Sequence, residues 1–179
     1  CNTTNPAFVS HPDGRAWLYY KSWNKEAYQN EKGAIRANRK YGLAIAENIE
    51  AEYKRIQENP VVDFSNYGDN MHVEDAYVYI EDGKFKMLMR DMGYFDHEVG
   101  LIFESEDGIN WAEPQIAWFG ADAYLQEPPA PSHLKRYGRF ERPQLLMKNG
   151  KPAYLFNAMQ GGKYGTASGF VFKILSDNE

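Results

Sequence analysis

Three segments of this chain align without gaps, and a chain that repeats one hairpin at a near-constant period has few folds open to it. They are residues 5–20, 74–89 and 141–156. Each opens on a polar leader (Asn5, Glu74, Glu141) and runs through apolar residues. Each then reaches a glycine nine positions after its leader: Gly14, Gly83 and Gly150. Asp13, Asp82 and Asn149 stand directly before those glycines. Asp-Gly or Asn-Gly between two apolar runs is a strong hairpin signal, because both residues tolerate positive φ. A Gly-then-apolar strand follows each hairpin, from Gly42, Gly100 and Gly169. A fourth strand is readable at 53–56 and at 115–118. The leaders lie 69 and 67 residues apart. The predicted fold is therefore all-β, built of four-stranded antiparallel meanders like the blades of a β-propeller. Blades fall at about 5–64, 72–120 and 139–175. Three unrelated hairpins in a sandwich would have no reason to share offsets.

Composition supports strands and turns. Aromatic residues make up 15% of the 179, with 15 Gly and 9 Pro, a mix that favours pleated strands over helices. The net charge of −5 argues against nucleic acid as a partner, since phosphate binding wants a Lys/Arg surplus. No apolar run approaches the roughly 18 residues of a membrane helix, and no signal-peptide core is visible. One cysteine, Cys1, excludes an internal disulfide and a cysteine-based zinc site, and no metal motif is present.

Two insertions interrupt the repeats. Residues 23–40 are polar and basic, with Lys25, Lys32, Arg36, Arg39 and Lys40; they read as a solvated loop or short helix, or as a lid. Residues 121–139 contain Pro128, Pro129 and Pro131 and read as an inter-blade loop. The Ser105–Trp111 turn reads as a structural element.

In a propeller the first strand of each blade lines the central channel, so the leaders converge at one mouth. Asn5, Glu74 with Asp75, and Glu141 with Arg142 gather there. Sixteen residues after each leader come Lys21, Arg90 and Asn157, at the end of the second strand and beside the first. Two carboxylates across a cleft are the minimum for glycoside hydrolysis: one protonates the leaving oxygen, the other activates water or attacks. The same carboxylates could instead pair with Lys21, Arg90 or Arg142 and satisfy one another. Trp23, Tyr94, Phe95, Trp118 and Tyr124 are expected on loops after strands, where they could stack on sugar rings or fill gaps between blades.

These residues resemble the five-bladed propeller glycoside hydrolases related to family 43. The resemblance rests on Asn5-Pro6, Tyr19 to Ser22, Gly42 to Ile56, Val73 to Phe85, Ser105 to Trp111 and Arg139 to Ala158. It implies that about three of five blades are present, as the later part of the ring. It implies Glu74 as general acid, with Asp75 or Glu141 orienting it. Arg142 becomes a partner for a channel carboxylate or a sugar hydroxyl, and His72 a sugar contact or a turn histidine. Ala76 departs from the proline common after the acidic pair. The general base is expected on an earlier blade, upstream of Cys1, and Cys1 reads as the start of a fragment. No cofactor is required; the family allows a channel cation such as calcium. A bacterial, secreted or periplasmic protein is favoured.

The expected activity is hydrolysis of a polysaccharide or oligosaccharide, with inversion. A related glycoside phosphorylase would use Lys21, Arg90 and Arg142 for phosphate, and a non-catalytic sugar-binding propeller would turn nothing over. Three repeats of about 68 residues nearly exhaust the chain, whereas propellers close with four to eight blades. The remaining blades are expected from another chain, a lost segment or a symmetry mate.

Overall fold

Eleven strands form three antiparallel sheets in a computed structural model that describes residues 2–23, 39–65, 67, 72–126, 129–134, 136–161 and 166–175. The first sheet is β1 (Asn2–Ser10), β2 (Ala16–Trp23), β3 (Lys40–Ala46) and β4 (Lys54–Arg55), in the order β1-β2-β3-β4. The second is β5 (His72–Glu81), β6 (Lys84–Met92), β7 (Gly100–Ser105) and β8 (Gln115–Trp118), in the order β5-β6-β7-β8. The third holds β9 (Phe140–Lys148), β10 (Lys151–Gly161) and β11 (Thr166–Lys173), with β10 in the middle. All neighbouring strands pair antiparallel. Each sheet is a blade-like meander. Cys1, Lys25, Lys32, Arg36 and Pro128 lie outside the described residues.

The sheets stack through two apolar layers. Alternation sends Trp17, Tyr19 and Leu43 from the first blade against Val78, Met87, Leu101 and Phe103 of the second. The opposite face of the second blade, with Tyr79, Leu88 and Trp118, packs on Phe140, Leu155 and Met159 of the third. A strand buried on both faces is what a blade inside a stack requires. Trp118 is therefore not a loop aromatic: it is 3% exposed and lies so close to Gly100 that a Cβ there would sit 1.9 Å from its ring.

The expected alignment of the repeats is out by one residue in the first blade. The second and third hairpins turn on two residues, Asp82-Gly83 and Asn149-Gly150, all at positive φ. The first hairpin turns on five, from His11 to Arg15, with only Gly14 at positive φ. Anchoring the repeat on its glycine therefore shifts the first strand. By register Thr4, not Asn5, is the equivalent of Glu74 and Glu141: these three pair with Lys21, Arg90 and Ala158. Asn157 likewise falls out of the set formed by Lys21 and Arg90. One extra residue, Ala153, enters β10, and a one-residue slip sends each following side chain to the other face.

Candidate active site

The corrected register exposes a feature repeated in all three blades. The first strand of each bulges just inside the mouth, two residues facing one on its partner strand. The first residue of each bulge is in the left-handed region: Asn5 at φ 46°, Asp75 at 58° and Arg142 at 56°. Non-glycine residues accept that conformation reluctantly, Asn and Asp best. Pro6, Ala76 and Pro143 follow. A phenol from the first blade braces the second bulge: the Ala76 N–H donates to Tyr41 Oη at 3.1 Å, and Tyr41 is fully buried.

The three bulges meet. Asn5 Nδ2 donates a short hydrogen bond to Asp75 Oδ1. A cavity of about 300 Å³ is lined by Asn5, Pro6, Asp75, Ala76, Arg142 and Gln144. Burial first, and then the charge of Glu74, hold the Asp75 carboxyl above the ordinary aspartate range, while Arg142 pulls the other way. Gln144 was missed in the sequence. Its signal was available two places after Arg142, but only once the bulge is recognised.

Glu74 has different surroundings. Lys21 Nζ makes a short ion pair with Glu74 Oε1, Arg39 Nη1 lies 3.4 Å from Oε2 and Arg90 Nη1 lies 3.6 Å from it. Burial pushes the carboxyl up, but the Lys21 hydrogen bond and the charges of Lys21, Arg39 and Arg90 override it, leaving Glu74 below the usual glutamate range. A general acid is favoured by the reverse, a raised pKa. Glu141 is held through Arg90 Nη1 at 2.8 Å and Arg136 Nη1 at 3.5 Å. A pattern emerges: the cation ending the second strand of one blade reaches the glutamate opening the next.

The other expected residues divide. His72 is buried and does not line the cavity; its Nδ1 accepts the Arg39 N–H at 3.0 Å, and burial with the Arg39 charge pushes its pKa down to about 4. Trp23 ends β2 half-buried, with Lys21 Nζ 5.8 Å from its ring centre. Tyr94 and Phe95 sit on a loop tied to Asp91, which is fully buried and accepts N–H groups from residues 93 to 96. Tyr124 packs against Phe140 and Phe172. Asn157 is 4% exposed, and neither its Oδ1 nor its Nδ2 has a hydrogen-bond partner among the described residues.

Among the described residues no group of three or more His, Cys, Asp or Glu side chains is placed to hold a metal ion. Lys21, Arg39, Arg90 and Arg136 occupy the oxygens of Glu74 and Glu141, so these two carboxylates are engaged by protein cations. No helix is long and apolar enough to cross a membrane among the described residues.

No protein-family model matches the chain, and no curated protein matches it in sequence. Solved structures do match. The Bombyx mori family 32 β-fructofuranosidase, solved with sucrose, superposes with a TM-score of 0.61 at 18% identity, over 93% of this chain and 32% of that one. Xylan β-1,4-xylosidase from Bacillus halodurans gives 0.61 at 19%, over 99% and 29%. A family 43 β-xylosidase/α-arabinofuranosidase from a compost metagenome, solved with xylotriose, gives 0.54 at 14%, over 92% and 44%. The fold is that of a partial five-bladed β-propeller, as in glycoside hydrolases of families 32 and 43. The chain spans about a third of the length of the first two enzymes and under half of the third.

Proposed function

We propose that this chain is the sugar-binding part of a propeller glycoside hydrolase, and that Asp75 is its proton-carrying group. The observation that carries the reading is the convergence of Asn5, Asp75 and Arg142, one from each matched bulge, on a single cavity. A carboxyl, an amide and a guanidinium on a shared wall offer the acceptors and donors that sugar hydroxyls need. The solved enzymes that share the fold bear the names of fructosidases, xylosidases and arabinofuranosidases, so a furanoside or pyranoside of a neutral or substituted glycan is the substrate class.

In this reading Asp75 protonates the leaving glycosidic oxygen. Ionised Glu74 beside it helps keep that proton in place, as neighbouring like charges do. Lys21, Arg39 and Arg90 hold Glu74 still. Glu141 is positioned by Arg90 and Arg136. A general base comes from a further blade.

Two measurements test the reading. Titration with xylo-, arabino- and fructo-oligosaccharides should move the amide resonances of Asn5, Ala76 and Gln144; no shift at millimolar ligand across the panel overturns sugar binding at the mouth. Carboxyl-detected NMR should order the acids, Asp75 above an ordinary aspartate and Glu74 below an ordinary glutamate. The opposite order removes Asp75 as the acid. The phosphorylase alternative is weakened because Lys21 and Arg90 are committed to Glu74 and Glu141. A binding-only propeller would show the same shifts with no turnover.

A further inference from the structure

The mouth is electrostatically unlike the rest of the chain. The ion-paired network and the cavity wall together hold five cations, Lys21, Arg39, Arg90, Arg136 and Arg142, against three carboxylates, Glu74, Asp75 and Glu141. The whole chain carries −5. A local surplus of positive charge in a concave wall raises the concentration of anionic ligands there.

Arg142 is where that surplus is free to act. The other four cations have a carboxylate oxygen within 4.0 Å; Arg142 has none among the described residues. It is exposed on the cavity wall. It also occupies the bulge position at φ 56°, which delivers Asn5 and Asp75 to the same cavity, so its placement is set by the backbone. Across the strand pair, Asn157 is the single β10 residue facing that bulge. Its buried amide lacks a partner on both its oxygen and its nitrogen, and Arg90 Nε lacks one too. Buried polar atoms are rarely left so. Asp75 is the one carboxyl among the residues lining the cavity, and the Asn5 amide already donates to it.

We propose that the saccharide taken at this mouth is anionic, with the Arg142 guanidinium reading a carboxylate or sulfate ester on the sugar. The planar fork of arginine suits either group through two parallel hydrogen bonds. The inference rests on the reading above that the mouth binds a saccharide, and it adds the charge of that saccharide.

The test is a calorimetric comparison on the full chain of two matched pairs. One is an oligogalacturonate against the neutral oligogalactan of equal length; the other is a sulfated carrageenan oligosaccharide against its desulfated form. An anionic member should bind about tenfold to a hundredfold tighter than its neutral partner, and the preference should shrink as salt is raised. A preference confined to the first pair assigns a uronate, and one confined to the second a sulfate ester. Arg142→Gln should bring the ratio to near one, and Arg142→Lys should leave an intermediate ratio, because a point charge keeps attraction but loses the fork. Equal affinity within both pairs overturns the inference while leaving saccharide binding in place. So does a preference that survives in Arg142→Gln. Failure of all four sugars to bind overturns the inference and the sugar-binding reading together.

Discussion

Glu74 and Asp75 are adjacent in sequence and opposite in character. Glu74 lies among Lys21, Arg39 and Arg90 and is held ionised; Asp75, one residue on, turns through a left-handed bulge into the cavity and is pushed toward its protonated form. The lowered Glu74 carboxyl contributes stability above its ordinary value of 4.5, lost as the pH falls through its folded pKa. Glu74→Gln leaves the Lys21 and Arg90 side chains, 5% and 3% exposed, without their shared carboxylate. The expected loss is about 3–5 kcal/mol, read as a fall in the denaturation midpoint, and Lys21→Met in the same chain should restore part of it. His72 adds a second pH effect. Its folded pKa of about 4 lies below the ordinary 6.5, so between those values the unfolded chain binds the extra proton and stability falls as pH drops. Denaturation midpoints measured from pH 7 to 4 should decline in the native chain and decline less steeply in His72→Gln.

At the scale of elements, the hairpins were legible because their turns obey local rules. Asp82-Gly83 and Asn149-Gly150 are two-residue turns with both residues at positive φ, a demand that short-range chemistry states openly. Asn149→Val should cost about 1 kcal/mol or more, since a β-branched residue resists φ 54°, measurable as a lowered denaturant midpoint with the fold retained. The bulges were not legible. Nothing in Asn5-Pro6, Asp75-Ala76 and Arg142-Pro143 announces a shared backbone conformation to a reader who aligns on the downstream glycine. The first hairpin's longer turn and the extra Ala153 each displaced the alignment by one. Gly100 shows the opposite case, a residue whose reason is tertiary. It gives room to Trp118, and Gly100→Ala should destabilise by about 1–3 kcal/mol through overpacking, visible as a lower melting temperature.

The whole molecule is a stack with an unequal end. Register equates Leu146 and Phe156 of the third blade with Tyr79 and Leu88 of the second. In the second blade these positions are 8% and 4% exposed, covered by the third blade; in the third they are 52% and 38% exposed, beside Tyr154 at 37% and Val171 at 57%. The same surface that makes an inter-blade core is thus open on one side, and the solved enzymes that share the fold are much longer than this chain. A further blade is the occupant that fits this face in the proposed ring. Phe156→Lys combined with Val171→Lys should therefore move the melting temperature little, because neither side chain belongs to a formed layer; a fall comparable to that of a buried inter-blade substitution would show that the face is already covered.

Sequence alone determined the strand content, the three hairpins and their near-constant period. Those properties depend on turn chemistry, alternation and spacing, all of which act over a few residues. Only the tertiary structure decided which of two neighbouring carboxyls faces the cavity, that Glu74 is spoken for by three cations, that the His72 ring accepts the Arg39 N–H, and that Trp118 is core. Each depends on a one-residue bulge or on partners 16 to 53 residues away in the chain, and alternation flips its answer with every residue gained or lost.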